Sequence, residues 1–444
     1  MDNIIDIISY SSDGNGVGRK DGSVFFVPYA IKDEKVKVKE LEKKKNIINC
    51  ELLCVVEQSK MRIEPQCPHF YNCGGCTYQN ISYNHQLEIK EDKINNAIKR
   101  IGHLENKVSE LIPSDYIYNY RNKAIIPVGY DENNKVVCGF YKNKSYNICP
   151  MSYCNIHNEK IFKIANIITK WMNDFNIKPY NRKNKTGVVK NIFVRTSVST
   201  NEIMAGVILK YDDMPCKDEL IKRLKEENIT SLFYNVNAKD NKLMSSNNTL
   251  LYGRGYIEDE ILKVKFKIGI ESFYQVNPYT VEKLYKKVID LLELNKNDVI
   301  FDLYCGIGTI GLCLSDKVKK VYGIEYVDEA VKYARENSDY NNIENCEFYS
   351  GKCEEVIFSL LSRKIKPTKI VLDPPRSGCD KKLIDAILKL EPEKICYVSC
   401  DPATMARDIK ILTESGKYKT DVLYGCDMFP QSFHVECIAT LSLI

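Results

Sequence analysis

Residues 299–311, VIFDLYCGIGTIG, decide the fold of this chain. The segment begins with a short apolar run typical of a buried strand, and Gly306, Gly308 and Gly311 then form the pattern G-x-G-x-x-G. Glycines at this spacing allow a tight turn and let a ligand approach the backbone where a helix begins. The segment therefore predicts a nucleotide-type binding loop, and by itself it fits NAD and S-adenosylmethionine equally well.

Strand-like runs continue beyond this loop and alternate with helical stretches. The next run, residues 321–325, ends in Glu325, where an acid can accept hydrogen bonds from ribose hydroxyls. Later runs lie at residues 370–373, 395–399 and 434–444. Strands that alternate with helices predict a parallel, doubly wound α/β sheet.

Three side chains at later strand ends are candidates for chemistry, because such ends form the ligand crevice of an open α/β sheet. Asp373 precedes two prolines, which stiffen the backbone and would project the carboxylate into the crevice. Cys400 follows a strand and precedes Asp-Pro, a placement that suits a nucleophile. Glu436 lies in an apolar stretch, which raises a carboxyl pKa and suits a base. Each has a structural alternative: Asp373 can belong to a stiff turn, Cys400 can be a buried thiol, and Glu436 can be a hydrogen-bonded strand residue.

The first 60 residues have the pattern of an all-β domain. Short runs rich in β-branched residues are separated by turn sequences such as Asp13-Gly14-Asn15-Gly16. Four or five short strands in this length predict a small barrel of the OB type. Residues 85–101 then predict a helix, because apolar residues recur at helical spacing before Gly102.

Composition excludes several classes of protein. Hydrophobic residues make up 44% and charged residues 28% of the 444 residues, which is globular composition. No apolar run is long enough to cross a membrane, and the first residues do not resemble a secretory leader, so we expect a cytoplasmic protein without a membrane partner. The net charge is +5, and residues 131–200 hold twelve basic residues against four acids, as expected of a phosphate-binding face.

The chain contains 18 cysteines, and three of them are close together in the sequence. Cys67, Cys73 and Cys76 surround a Gly-Gly pair, and thiolates at such spacing can bind a soft metal or an iron–sulfur cluster if a fourth ligand is present. Candidates for the fourth ligand are Cys138, Cys149 and Cys154. A zinc site and plain buried thiols are the alternatives.

Several segments together resemble the RNA 5-methyluridine methyltransferase (TrmA/RumA) family, and the resemblance extends over essentially the whole chain. The N-terminal stretch GNGVGRKDGSVFFVPYAIKDEKVKV is similar to a TRAM domain, an OB-like RNA-binding module. The segments ESFYQVNPYTVEKLY, FDLYCGIGTIGL, LDPPRSG, YVSCDPATMARDI and DMFPQSFHVEC match the motifs of the family in order.

The resemblance implies a cofactor, a reaction and site residues. S-adenosylmethionine replaces NAD as the expected cofactor, and the product is 5-methyluridine in RNA. Cys400 matches the family nucleophile, which attacks carbon 6 of uracil, and Glu436 matches the base that removes the proton from carbon 5. The expected cofactor-binding residues are Gln275, Tyr304, Gly306, Gly308, Thr309, Glu325 and Asp373.

The resemblance also implies a [4Fe-4S] cluster and three domains. The expected cluster ligands are Cys67, Cys73, Cys76 and Cys154, with Cys149 as the alternative to Cys154. The expected domains are a TRAM barrel over 1–60, a central β-rich cluster domain over 61–268 and a class I, Rossmann-like methyltransferase domain over 269–444. The helix over 85–101 packs on either the central or the catalytic domain.

The full cysteine set favours 23S rRNA as the substrate, and RNA is the one partner that we expect. Two rivals keep an active enzyme: the same reaction on the thymine loop of tRNA, and methylation of cytidine. The cytidine enzymes tend to use a second cysteine where this chain has Glu436. A catalytically idle RNA-binding protein is the remaining alternative, and intact Cys400 and Glu436 argue against it.

Overall fold

A computed structural model describes residues 2–143 and 145–444 of the chain. The chain divides into two compact units. The N-terminal unit consists of Met1–Lys93, Phe140–Cys149 and Phe429–His434, and the main unit consists of Ile94–Gly139, Pro150–Met428 and Val435–Ile444. Within the described ranges, none of the helices has the length and apolar character that a membrane crossing requires.

The N-terminal unit contains a closed five-stranded barrel. Its strands are β1 (Asp2–Tyr10), β2 (Gly16–Lys20), β3 (Ser23–Val27), β4 (Lys35–Lys44) and β5 (Ile47–Glu57). They are arranged in the order β1-β2-β3-β5-β4. Residues alternate between inside and outside, so that Val36 and Val38 are fully buried in the barrel core. At Gly18 a Cβ atom would lie 2.2 Å from Ile5 Cγ2, so close packing requires glycine there. The barrel that the turn spacing predicts is therefore present.

A helix follows the barrel and an irregular cysteine-bearing segment. It is α1 (Tyr83–Ala97), and a π-helical turn, Ile98–Gly102, extends it. This agrees with the helix predicted over 85–101 to within a turn. Gln86, in its first turn, is buried and donates from Nε2 to the carbonyls of Tyr78 and Ile81 at 2.9 Å each.

The first part of the main unit is built on a six-stranded sheet. In chain order the elements from here to the hairpin are β6 (Val108–Ile112), β7 (Lys123–Tyr130), β8 (Val136–Cys138), α2 (Glu159–Asp174), β9 (Val189–Thr196), β10 (Ile203–Leu209), α3 (Lys217–Lys225), β11 (Ser231–Val236), β12 (Asn248–Gly253), β13 (Tyr256–Ile261) and β14 (Val264–Gly269). The sheet order is β12-β11-β10-β9-β7-β8, and β13 and β14 form a separate hairpin. Every residue of β9 and β10 is buried, so these strands form the centre of the sheet.

The second part of the main unit is an α/β domain in which strands and helices alternate. Its elements are α4 (Pro278–Leu292), β15 (Val299–Leu303), α5 (Thr309–Leu314), β16 (Lys320–Glu325), α6 (Asp328–Tyr340), β17 (Cys346–Ser350), α7 (Cys353–Ser362), β18 (Lys369–Leu372), α8 (Lys381–Leu390), β19 (Lys394–Ser399), α9 (Pro402–Glu414), β20 (Tyr418–Cys426) and β21 (Glu436–Leu443). A short 3-10 turn, Ser315–Lys317, follows α5.

These strands form an eight-stranded sheet in the order β17-β16-β15-β18-β19-β21-β20-β6. The strands from β17 to β19 are parallel, and β21 runs antiparallel to β19. The carboxyl ends of β15, β16, β18 and β19 therefore lie along one edge, as the alternating pattern predicts. The eighth strand comes from an unexpected place: β6 lies in the stretch assigned to the central domain, yet it pairs with β20.

Candidate active site

The loop after β15 has the backbone that the glycine pattern predicts. Tyr304, Gly306 and Gly308 adopt positive φ values of 64°, 55° and 83°. At Gly306 a Cβ atom would meet nothing within 4 Å, so that side of the loop faces open space. At Gly308 a Cβ atom would lie 3.0 Å from the ring of Phe348. The two glycines are therefore required by backbone conformation, and at Gly308 also by packing.

Two acids hold this loop in place. The Asp302 Oδ2 atom accepts a hydrogen bond from the Gly311 backbone at 2.9 Å, and a Cβ atom at Gly311 would approach the same oxygen to 2.8 Å. Glu325, at the end of β16, accepts from the backbone N–H groups of Gly306 at 3.1 Å and Val327 at 2.9 Å. Burial raises the pKa of Asp302 to about 7, and its Oδ1 atom has no partner in the described part of the chain. The loop is thus anchored beside one buried acid and one strand-end acid.

Two further predicted cofactor residues, Thr309 and Gln275, lie at the end of this loop and in a separate segment, respectively. Thr309 is the first residue of α5, and its hydroxyl lies 2.8 Å from the Tyr285 hydroxyl. Gln275 is buried in the segment between β14 and α4, and its carbonyl accepts from the Asn122 side chain at 3.1 Å. A glycine loop with open space beside it, flanked by Glu325 and by Thr309, is a suitable cradle for a nucleoside-containing cofactor.

Cys400 lies at the end of β19, directly before α9. The next residue, Asp401, caps this helix, because its carboxylate accepts from the backbone of Ala403 at 2.9 Å and of Thr404 at 3.2 Å. Ser399 stabilises the same turn, since its hydroxyl accepts from the Asp401 backbone at 3.1 Å. The thiol is partly exposed and therefore accessible to a substrate.

Electrostatics connect Cys400 with Glu436, Asp373 and Arg376. Burial is the largest of the effects that together raise the pKa of the Cys400 thiol to about 11; Glu436 and Asp373 act in the same direction, and Arg376 opposes them. Burial raises the pKa of Glu436 to about 8, with the same opposing effects of Asp373 and Arg376. Burial also raises the pKa of Asp373 to about 7. One cluster therefore contains a thiol, two acids that bind protons near neutral pH, and one cation.

Two supporting residues were not predicted from the sequence. Arg376 follows the two prolines, but nothing in the sequence indicates that it acts on Cys400. Asp408, on α9, is buried and accepts hydrogen bonds from the Tyr397 hydroxyl at 2.7 Å and the Cys379 backbone at 2.8 Å. Asp408 thereby fastens the loop after β18 to α9, and only the folded structure brings these residues together.

The cysteine segment has a different environment. Cys67, Cys73, Cys76 and Cys149 belong to the N-terminal unit, and the thiols of Cys67 and Cys149 both raise the pKa of Cys73, after the larger effect of burial. Cys154 belongs to the main unit, where its sulfur lies 3.2 Å from His157 Nδ1. Across residues 2–143 and 145–444, no group of three or more His, Cys, Asp or Glu side chains is arranged to hold a metal ion.

Comparisons with known proteins identify the family of this chain. A family model described as tRNA (Uracil-5-)-methyltransferase matches residues 82–443. An uncharacterized RNA methyltransferase of Clostridium tetani is 40% identical over 439 residues, which cover 98% of this chain and 95% of the relative. An uncharacterized RNA methyltransferase of Listeria monocytogenes is 40% identical over 437 residues, 97% of this chain and 95% of the relative.

A solved structure extends the likeness to three dimensions. The tRNA (uracil-54, C5)-methyltransferase of Pyrococcus abyssi, in complex with S-adenosyl-L-homocysteine, superposes with a TM-score of 0.81. It is 25% identical in sequence, and the match covers 99% of both chains.

Proposed function

The chain belongs to the tRNA (uracil-5-)-methyltransferase family, and on that premise we propose that Cys400 is its nucleophile and Glu436 its base. The family defines the activity: this protein is an S-adenosylmethionine-dependent RNA methyltransferase that acts on carbon 5 of uracil. The observation that carries the proposal is the cluster of Cys400, Glu436, Asp373 and Arg376: Ser399 at the end of β19 is paired with Cys437 of the antiparallel β21, and Cys400 and Glu436 are the residues next to that pair.

The chemistry requires a nucleophile, because carbon 5 of uracil reacts poorly with a methyl donor. The Cys400 sulfur forms a bond to carbon 6, and the ring becomes an enolate whose carbon 5 can accept a methyl group. Arg376 supports the attacking thiolate, since its charge lowers the pKa of a thiol that burial raises. Bound S-adenosylmethionine supplies the electrophilic methyl group.

Glu436 acts in the second half of the reaction. Once carbon 5 has been methylated, the Glu436 carboxylate takes the proton from carbon 5. The electron pair of that carbon–hydrogen bond restores the ring double bond between carbons 5 and 6, and the Cys400 sulfur leaves carbon 6. The buried site suits this task, because a carboxyl with a pKa of about 8 binds a proton more strongly than an exposed one. Asp373, beside both groups, is a candidate for orienting the uracil or the cofactor.

Cofactor binding is proposed for Gln275, Tyr304, Gly306, Gly308, Thr309, Glu325 and Asp373. The open space beside Gly306 and the strand-end position of Glu325 support this assignment. Glu325 already accepts two backbone hydrogen bonds, so it is held rigidly where it can accept further bonds from ribose hydroxyls.

We propose 23S rRNA as the substrate, with the N-terminal barrel as a TRAM-type RNA-binding module. The basic excess over residues 131–200 supports an RNA substrate of either kind. tRNA is the second candidate, because the Pyrococcus abyssi protein is described as acting on uracil 54 of tRNA. In either RNA the target base must be unpaired or flipped out of its stack to reach the thiol.

We further propose that the N-terminal unit binds a [4Fe-4S] cluster through Cys67, Cys73, Cys76 and Cys149. Thiolates are the right donors for iron; the Cys67 and Cys149 thiols both raise the pKa of Cys73, and the Cys67 thiol also raises that of Cys149. Cys149 is proposed in place of Cys154 because the Cys149 thiol acts on the pKa of Cys73, whereas the Cys154 sulfur lies 3.2 Å from His157 Nδ1. In the described part of the chain these thiols are not arranged as a metal site. The steps proposed for Cys400 and Glu436 do not involve a cluster.

The proposed function is tested by trapping the covalent complex. Purified protein is incubated with S-adenosylmethionine and either 23S rRNA or tRNA, each transcribed with 5-fluorouridine, and resolved on a denaturing gel. With fluorine in place of the carbon 5 hydrogen, there is no proton for the base to remove. The Cys400 sulfur then cannot leave carbon 6, and the covalent adduct accumulates. Cys400→Ala abolishes the complex, whereas Cys54→Ala, which removes an exposed thiol of the barrel, keeps it.

The outcomes separate the alternatives. A complex with 23S rRNA that requires Cys400 supports the whole proposal, and a complex with tRNA alone keeps the chemistry but overturns the substrate. Folded protein that binds S-adenosylmethionine yet forms no complex with either RNA contradicts the catalytic assignment and favours an idle RNA-binding protein.

A further inference from the structure

Two cations face each other on neighbouring strands of the six-stranded sheet. Lys123 of β7 is paired in register with Arg195 of β9, and side chains at paired positions project from the same face. The Phe193 ring lies on this face too, 5.4 Å from Lys123 Nζ and 5.6 Å from the Arg195 guanidinium carbon. A third cation, Arg121, lies two residues before Lys123 and acts on it electrostatically.

Within residues 2–143 and 145–444, no carboxylate lies within 4.0 Å of the charged groups of Arg121, Lys123 and Arg195. Other buried or half-buried cations do have such a partner, as Lys190 does in Asp240 and Arg223 does in Asp174. Arg195 is only 1% exposed, and a buried cation without a counter-ion costs free energy. Binding of an anion next to the cluster would offset this free-energy cost.

Arg195 connects the cluster to the cofactor side of the enzyme. Its guanidinium donates to the carbonyl of Gly269 at 2.8 Å and to that of Ser272 at 2.6 Å. The same segment continues through Phe273, which is 67% exposed, to the buried Gln275. Asn122, the residue directly before β7, donates from its side-chain amide to the carbonyl of Gln275 at 3.1 Å. The cations therefore lie beside the segment that carries an exposed aromatic ring and a proposed cofactor residue.

We propose that Lys123 and Arg195 form a binding site for one phosphodiester of the RNA substrate, an inference that rests on the proposed function. Lys123 is partly exposed and supplies the contact. Arg195 is buried, donates to two carbonyls of the neighbouring segment and supplies a positive electrostatic field. The phosphate then lies next to Phe273, whose exposed face is free to stack on a neighbouring base.

Titration of Lys123 supports this site. Burial is the largest of three effects that together lower the pKa of Lys123 to about 7; the others are the charges of Arg195 on β9 and of Arg121, two residues before Lys123. The amine therefore loses its charge near neutral pH in the free protein. A bound phosphodiester favours the charged amine, so RNA affinity is highest below pH 7 and falls as the pH rises.

The first experiment measures the salt dependence of binding. The full chain, with S-adenosylhomocysteine present, is titrated with a fluorescent oligouridylate at several salt concentrations. Lys123→Met lowers the slope of log affinity against log salt by about 0.7, the value for one single-strand phosphate. Lys222→Met, which removes an exposed lysine of α3, leaves it unchanged and is the matched control. An unchanged slope in Lys123→Met overturns the proposal.

The second measurement follows affinity against pH. In the wild type the affinity falls by up to about tenfold per pH unit above about 7. Lys123→Arg abolishes this fall, because arginine keeps its charge throughout this range. A fall that persists in Lys123→Arg overturns the proposal. The melting temperature of Lys123→Met rises or is unchanged if the lysine serves binding, and a lower one with an unchanged salt slope assigns it a structural role instead.

Other failures are distinguishable. If Lys123→Met weakens binding of S-adenosylhomocysteine and not of RNA, the anion is the cofactor carboxylate, and the phosphodiester is excluded. If the wild type methylates 23S rRNA or tRNA while Lys123→Met keeps its salt slope, this inference fails and the proposed function stands. If the wild type methylates neither RNA, the proposed function fails.

Discussion

The thiols of Cys400 and Cys73 lie in two regions of this protein and have similar pKa values but different neighbours. Burial raises the pKa of Cys400 and of Cys73 to about 11. Cys400 is surrounded by the acids Glu436 and Asp373 and by the cation Arg376, whereas the other thiols that act on Cys73 are Cys67 and Cys149. A thiol beside a base and a cation suits covalent chemistry, and a thiol beside other thiols suits metal binding. The neighbours, and not the pKa, distinguish the two regions.

The largest expected effect separates the two regions by activity. Cys400→Ala reduces uracil methylation by about 10⁴-fold or more, because no other group can attack carbon 6. Cys73→Ala keeps the trapped 5-fluorouridine complex, because its thiol takes no part in the reaction. Methyl transfer from labelled S-adenosylmethionine to RNA, together with the denaturing gel, measures both. Equal losses in the two variants contradict the distinction.

The next effect tests the role of Glu436. Glu436→Gln lowers turnover by about 10²–10⁴-fold, the usual contribution of a general base. The methylated adduct then cannot lose its carbon 5 proton, so a covalent complex accumulates with ordinary RNA that contains no fluorine. Glu393→Gln, which changes an exposed acid just before β19, turns over normally and forms no stable complex. Absence of a complex in Glu436→Gln assigns the proton transfer to another residue.

A smaller effect on catalysis is expected in the cysteine region. After purification without oxygen, Cys149→Ser contains much less iron than the wild type and lacks the visible absorption of the cluster, because one of its four ligands is removed. Cys154→Ser keeps both and is the matched control. Iron and sulfide analysis of the two variants measures the difference. If only Cys154→Ser loses its iron, the fourth ligand is Cys154 and not Cys149.

The smallest effect is on stability. Glu436 has a pKa of about 8 in the folded protein, above its ordinary value of 4.5, so the folded state binds more protons between these values. Its contribution to the free energy of unfolding therefore falls as the pH rises from about 4.5 to about 8, by at most about 1.4 kcal/mol per pH unit. Urea unfolding at several pH values shows a flatter profile for Glu436→Gln than for the wild type. Parallel profiles contradict the raised pKa.

Local patterns in the sequence predicted much of the catalytic sheet. The run before Gly306 is a strand, the loop has positive φ at the expected glycines, and the barrel has five strands. These features depend on neighbours within a few residues, so the sequence contains them. The sequence patterns do not predict β17 and β20, and they assign β6 to another domain, because strand pairing joins residues that are far apart in sequence.

The site residues show the same division. The sequence alone determined which side chains are candidates, Cys400, Glu436 and the glycine loop, because their chemistry and their places at strand ends are local properties. Only the tertiary structure decided that Arg376 acts on the thiol, that Cys149 is coupled to Cys73, and that Lys123 faces Arg195 without an acid. Burial and the field of distant charges set these properties, and both arise only when folding brings separate segments together.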